Sequence, residues 1–248
     1  MNQLECIMYN TLSNQRVVIT GINGGIAKAT AALLLEHGAE VVATARTPDK
    51  LDSGLSGLSG SISGVTLELT DPNSIAETFA NIGAFDHLVT PAASAMLAPI
   101  AEMDFNAARQ LIDSKQMGQM LCVHHGLKQI NRSGSVTLFS GTVTQKPLAG
   151  ASVFAAVGAA TEAAARVWAF ESAPVRFNTV VPGVIDTAVW DEMLTKANAD
   201  EARAQFAAAL PVGRIGTALD VAKAVLFLID NGFVNGTSVI VDGGHRLI

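Results

Sequence analysis

The stretch RVVITGINGGIAKATAALLLEHGAEVVATA, residues 16–45, restricts the fold more than any other part of the chain. A β-branched run ending at Thr20 gives way at once to Gly21, Gly24 and Gly25. Branched side chains suit a pleated strand, and glycine suits the sharp turn that follows. Ala31, Leu34 and Leu35 then recur at helical spacing until His37 and Gly38 close the run. EVVATA, residues 40–45, is apolar and short enough for a second strand. Strand, glycine turn, helix and strand in that order form a βαβ unit, whose crossover leaves the two strands parallel.

The same alternation continues. VTLELT (65–70), DHLVT (86–90), GSVTLFS (134–140), VRFNTVV (175–181) and TSVIVDGG (237–244) read as further strands. Helical patterns separate them at 71–83, 104–129, 152–171 and 218–230, with an irregular helical segment at 187–209. Seven strands alternating with helices imply an α/β fold, a Rossmann-type doubly wound parallel sheet with helices on both faces. The Gly/Ser-rich stretch 53–64 reads as an exposed connection. No linker divides the chain, so an extension over 1–13 and a single domain over 14–248 are expected.

Composition narrows the function classes. Hydrophobic residues make up 49% of the 248 and charged residues only 15%, which fits one well-buried domain. A net charge of −6 argues against nucleic acid as a partner, because nonspecific binding needs a basic surface. No uncharged apolar run approaches the ~20 residues that span a bilayer, so no membrane partner is expected. Residues 1–14 lack the basic-then-apolar order of a secretion signal. Cys6 and Cys122 have neither metal-site nor disulfide spacing. A reducing, cytoplasmic setting and no metal are therefore expected.

In TGINGGIA the glycines let the backbone approach a pyrophosphate, and the helix N-terminus favours its negative charge. With that turn in place, the chain resembles the short-chain dehydrogenase/reductase family over about residues 14–248. Thr20, Gly21 and Gly25 match the family pattern TGxxxGxG, with Ala27 at the third glycine. DHLVTPAAS resembles D-x-LVNNAG, RFNTVVPGVIDT resembles R-x-N-x-x-x-PG-x-x-x-T, and VIVDGG matches the last strand. The resemblance implies that Gly21, Asn23, Gly25 and Ile26 line a pyrophosphate. It implies Glu68 and Leu69 near an adenine and Ala92 beside a ribose. Pro182, Gly183, Ile185 and Thr187 would hold a nicotinamide carboxamide. An acid that would bind a ribose 2′-hydroxyl is absent from the end of the second strand, where Ala45 and Arg46 stand. Arg46 suits a 2′-phosphate, so NADP(H) is expected over NAD(H).

The family's usual mechanism needs a tyrosine to move a proton, a lysine four residues later to lower its pKa, a serine and an asparagine. In those places this chain carries Phe154, Gly158, Gly141 and Lys115. Its single tyrosine is Tyr9, far from the motif. Three readings follow. An oxidoreductase on a small carbonyl or alcohol would use Lys115 as proton donor, with Ser140 or Thr142 orienting the substrate. A redox-neutral isomerase, dehydratase or lyase would use Lys115 as a base or Schiff-base former. A non-catalytic cofactor-binding or scaffold protein would need neither. Phe154, Trp190 and Met193 are expected to face the substrate. The Ala/Gly-rich segment around Gly158 allows close helix approach, and a homodimer or homotetramer is expected. His245 and Arg246, after the last strand, resemble residues that approach a neighbouring site in family tetramers.

Overall fold

The computed structural model describes residues 11–92, 96–188 and 196–248. Seven parallel strands form one sheet: β1 (Arg16–Ile19), β2 (Glu40–Ala45), β3 (Ile62–Thr66), β4 (Phe85–Val89), β5 (Ile130–Phe139), β6 (Arg176–Pro182) and β9 (Ser238–Val241). Their order across the sheet is β3-β2-β1-β4-β5-β6-β9. A two-stranded parallel pair, β7 (Ile185–Asp186) with β8 (Gly216–Thr217), stands apart. The helices are α1 (Gly25–Glu36), α2 (Pro48–Leu55), α3 (Pro72–Ile82), α4 (Phe105–Leu111), α5 (Gly118–Gly126), α6 (Ser152–Glu171), α7 (Lys196–Ala209) and α8 (Ala218–Asp230).

Alternation explains the layers. Successive side chains of a strand point to opposite faces, and a parallel sheet is covered on both. Val17 and Ile19 of β1 join one apolar cluster with Leu34 of α1 and Val221, Val225 and Leu228 of α8. Val18, between them, joins the other, with Ile75 and Phe79 of α3, Cys122 of α5 and Ala165 of α6. Leu12, ahead of β1, is also fully buried in the first cluster. Arg176, at the start of β6, donates to the carbonyl oxygens of Leu228, Ile229 and Val234 and so satisfies the end of α8.

Several elements depart from the sequence reading. The third strand begins at Ile62 rather than 65 and ends at Thr66, because it pairs Ile62–Thr66 with Val41–Ala45. Glu68 and Leu69 therefore lie in a turn. There Glu68 accepts from the backbone N–H and hydroxyl of Thr70. The stretch 53–64, expected as an exposed connection, begins inside the last turn of α2 and ends inside β3. Thr47 caps that helix, and Gly54 is packed so closely that a Cβ would meet Ile22 Cγ2 at 2.6 Å. The helix expected over 104–129 is split by a π turn, Ile112–Met117. In that turn the Gly118 N–H reaches back five residues to the Asp113 carbonyl. α6 is apolar and long enough, by composition, to cross a membrane; here it packs on β5 and β6.

Phe79 is 1% exposed and its ring lies 6.1 Å from that of Phe85. Truncating it leaves a cavity that such a close-packed layer fills only in part. Phe79→Ala is expected to lower the unfolding free energy by about 3–5 kcal/mol in a denaturant titration followed by circular dichroism. A loss under about 1 kcal/mol would contradict this packing.

Candidate functional site

A cleft of about 410 Å³ opens along the carboxyl ends of the strands, over the junction of β1 and β4 where the winding direction reverses. Its floor is the turn after β1. Gly21 takes a left-handed φ of 71°, and a Cβ there would lie 2.6 Å from Ala92 Cβ. Only glycine combines that conformation with that approach. Ala92 is drawn in by the loop after β4, where its N–H points at Thr20 Oγ1 at 3.4 Å. At Gly25, a Cβ would press on Thr187 Cγ2 at 3.3 Å. The N-terminal amides of α1 thus open onto the cleft without intervening side-chain bulk.

Of the residues the sequence singles out, Gly21, Asn23, Gly25, Ile26, Arg46, Glu68, Leu69, Ala92 and Thr187 line this one cleft. Pro182, Gly183 and Ile185 lie along the backbone that leads to Thr187, through β6 and β7. Trp190 and Met193 lie outside the described residues. Lys50 also lines the cleft and was missed. It follows Arg46 by four residues and sits in the first turn of α2, and the Thr-Pro helix start at 47–48 was the available signal. Two cations, Arg46 and Lys50, therefore line the cleft just past the end of β2.

Lys115 is carried on the π turn and is 6% exposed. Its Nζ reaches the Phe139 carbonyl oxygen at 3.4 Å, at the carboxyl end of β5. Ser114, the preceding residue, lines the cleft. Burial lowers the Lys115 pKa from 10.5 to about 8, with no carboxylate partner among the described residues to offset it. Gln119 fixes the surroundings. Its Nε2 donates to the Lys115 carbonyl at 2.6 Å, and its Oε1 accepts from the Phe139 N–H at 3.1 Å and from Thr90 Oγ1 at 2.8 Å.

Ser140 and Thr142 face different partners. Ser140 Oγ donates to Glu162 Oε1 at 2.7 Å, and Thr144 Oγ1 donates to the same oxygen at 3.0 Å. Thr142 Oγ1 lies 3.2 Å from His245 Nδ1, and both residues are buried. Phe154 is half-buried in the first turn of α6. One turn on, the Cβ of any residue replacing Gly158 would meet Ser140 Oγ at 2.7 Å and Thr144 Cγ2 at 2.8 Å. The Ser140–Glu162–Thr144 cluster therefore occupies the space a longer side chain at 158 would enter. Among the described residues no group of acidic, His and Cys side chains could hold a metal.

This fold and cleft define a Rossmann-type α/β protein of the kind the motifs imply. The family model described as enoyl-(acyl carrier protein) reductase matches residues 21–246. The cis-4-hydroxycyclohexanecarboxylate dehydrogenase of Sinomonas cyclohexanicum is 31% identical, over 97% of this chain and 100% of that one. The L-xylulose reductase of Mesocricetus auratus is 30% identical, over 94% and 97%. Among solved structures, a small-chain dehydrogenase in complex with NADPH aligns with a TM-score of 0.83 at 30% identity, covering 94% of this chain and 99% of that one. The chain belongs to the short-chain dehydrogenase/reductase family, a family of oxidoreductases.

The lowered pKa of Lys115 has a consequence for stability. Between about pH 8 and 10.5 the unfolded chain holds the Lys115 proton more tightly than the folded one. Stability therefore rises with pH across that window and is insensitive to this group below it. Relative to Lys115→Met, the wild-type unfolding free energy is expected to gain on the order of 3 kcal/mol from pH 8 to 10.5. A constant difference between the two proteins across that range would place the amine in water.

Proposed function

We propose that the protein is an NADP(H)-dependent oxidoreductase of a small carbonyl or alcohol, in which Lys115 moves the proton that a tyrosine moves elsewhere in the family. The observation that carries the reading is a buried amine with a near-neutral pKa beside a residue of the dinucleotide cleft. NADPH, when bound, supplies the hydride. The chain's own residues do the rest. Gly21, Asn23, Gly25 and Ile26 receive the pyrophosphate on the α1 amides. Arg46 and Lys50 together receive a 2′-phosphate, where an acid would repel it. Glu68, Leu69 and Ala92 take the adenosine side, and Pro182, Gly183, Ile185 and Thr187 the carboxamide side. Lys115 Nζ gives its proton to the substrate oxygen in reduction and takes it back in oxidation. A pKa of about 8 leaves both forms accessible near neutral pH. Ser140 and Thr142 act by shaping the wall that orients the substrate, and Phe154, with Trp190 and Met193, supplies its apolar cover.

The same chain is proposed to work as a homodimer or homotetramer in the cytoplasm. Exposed apolar side chains on α5 and α6, Met120, Val167 and Phe170, support the first. The buried free thiol of Cys122, its pKa pushed up to about 12 by burial, is at ease in a reducing compartment.

Two measurements check this. In a titration followed by nicotinamide fluorescence, NADPH is expected to bind more tightly than NADH. Arg46→Ala with Lys50→Ala should weaken NADPH by about 10–100-fold, the worth of one or two charge-assisted hydrogen bonds, and leave NADH nearly unchanged. Equal losses for both nucleotides would remove the 2′-phosphate reading. In a carbonyl-reduction assay read by NADPH absorbance, Lys115→Ala should lower kcat/KM by roughly 10²–10⁴ with NADPH affinity retained. Turnover without any absorbance change would instead mark a redox-neutral enzyme.

A further inference from the structure

The polar contacts around His245 are not explained by the cofactor cleft. After β9 the chain passes Asp242, Gly243 and Gly244 and enters a short 3₁₀ turn, His245–Leu247. Both glycines are left-handed, with φ of 59° and 87°. A Cβ on Gly243 would strike Val212 Cγ2 at 2.6 Å, and one on Gly244 would strike Pro211 Cγ at 2.7 Å. The chain therefore slides under the segment that follows α7, and the Val212 N–H donates to the Gly243 carbonyl. Asp242 then sets the turn: its carboxylate accepts from the N–H groups of Gly244 and Arg246, and its carbonyl from that of His245.

This lands the imidazole of His245 between two walls. On one side Nδ1 meets Thr142 Oγ1 at 3.2 Å, Lys146 Nζ donates to the His245 carbonyl at 3.0 Å, and Arg246 Nη1 donates to Gln145 Oε1 at 3.1 Å. All three partners lie on the loop that leads from β5 into α6, the loop that begins at Gly141. On the other side the ring stands edge-on to Phe206 of α7, 5.9 Å between centroids. One hydrogen bond and one ring contact meet on the His245 side chain, and the residue is only 7% exposed; the other two ties hold its backbone carbonyl and the neighbouring Arg246 to the same loop. A residue left over from a solvated tail would not be buried between two separate elements.

We infer that His245 is a positioning residue for the substrate side of the site: it joins the 141–151 loop to the α7 segment and fixes Thr142, so that both walls move as one. The inference rests on the proposed function only in taking these walls as the substrate's. The coupling itself does not depend on it. The cofactor cleft lies elsewhere, since neither Thr142 nor His245 lines it.

Backbone hydrogen–deuterium exchange followed by mass spectrometry tests the coupling, with NADPH affinity as the check on folding. In His245→Ala, exchange is expected to speed up in both 141–151 and 198–212, with NADPH affinity within about twofold of wild type. In His245→Phe the ring contact to Phe206 remains and the bond to Thr142 is lost, so only 141–151 should speed up. His245→Asn, which restores a polar group near Nδ1, should bring that loop back towards wild-type exchange. Under turnover, His245→Ala should lose about tenfold or more in kcat/KM for the carbonyl substrate through misplacement of the wall, and His245→Asn should recover much of it. Unchanged exchange in both segments of His245→Ala would overturn the inference, as would a faster loop in His245→Asn equal to that in His245→Ala. If no carbonyl is reduced by the wild-type protein, the proposed function fails while the exchange result still decides the coupling.

Discussion

The close contact between Gly21 and Ala92 holds the rest of the site in place. It lies where β1, in the middle of the sheet, hands over to α1, and where the loop after β4 leans across. Because β1 pairs with β2 on one side and β4 on the other, the crossovers diverge there and leave a crevice. Any side chain at 21 would push the two loops apart and fill the cleft floor. The burial of alternate β1 residues into two different clusters makes the strand unable to shift register, since a slip by one would exchange both faces.

Electrostatics follows from that geometry. The cations Arg46 and Lys50 stand at the rim, half in water, where they can meet a charged ligand at little cost. Lys115 is the opposite case. It is buried, its Nζ donates to a backbone carbonyl at 3.4 Å, and desolvation moves its pKa. The π turn is the structural reason that it is there. One extra residue in the helical turn rotates the side chains that follow, so that Lys115 faces β5 while Gly118 passes Leu69 without a clash. The Ser140–Glu162–Thr144 cluster completes the picture on the α6 side. It fills the room beside Gly158 with a carboxylate held by two hydroxyls.

Much of this was legible in the sequence. Seven strands, their alternation with helices, and α8 over 218–230 could be read from periodicity, because apolar spacing and capping residues are local signals. Several of the residues that line the cleft were legible through a motif whose glycines have a local backbone reason. Strand ends were less so: β3 was placed three residues late, since its start is decided by pairing with β2 rather than by its own sequence. The α2 helix was hidden by Gly and Ser, residues whose weak propensity is overridden by packing against Ile22.

What the sequence by itself determined is the class of fold, the glycine-rich turn after β1, and the absence of a tyrosine–lysine pair. All of these depend on residue type and near-neighbour spacing. What only the tertiary structure decided is which of these side chains meet. Arg46 and Lys50 share one cleft with Glu68 and Thr187, Gln119 clamps the Phe139 backbone that Lys115 faces, Ser140 turns to Glu162, and His245 reaches Thr142 across 103 residues of chain. Such contacts are set by how strands pair and helices pack over long sequence separations, and no local pattern encodes them.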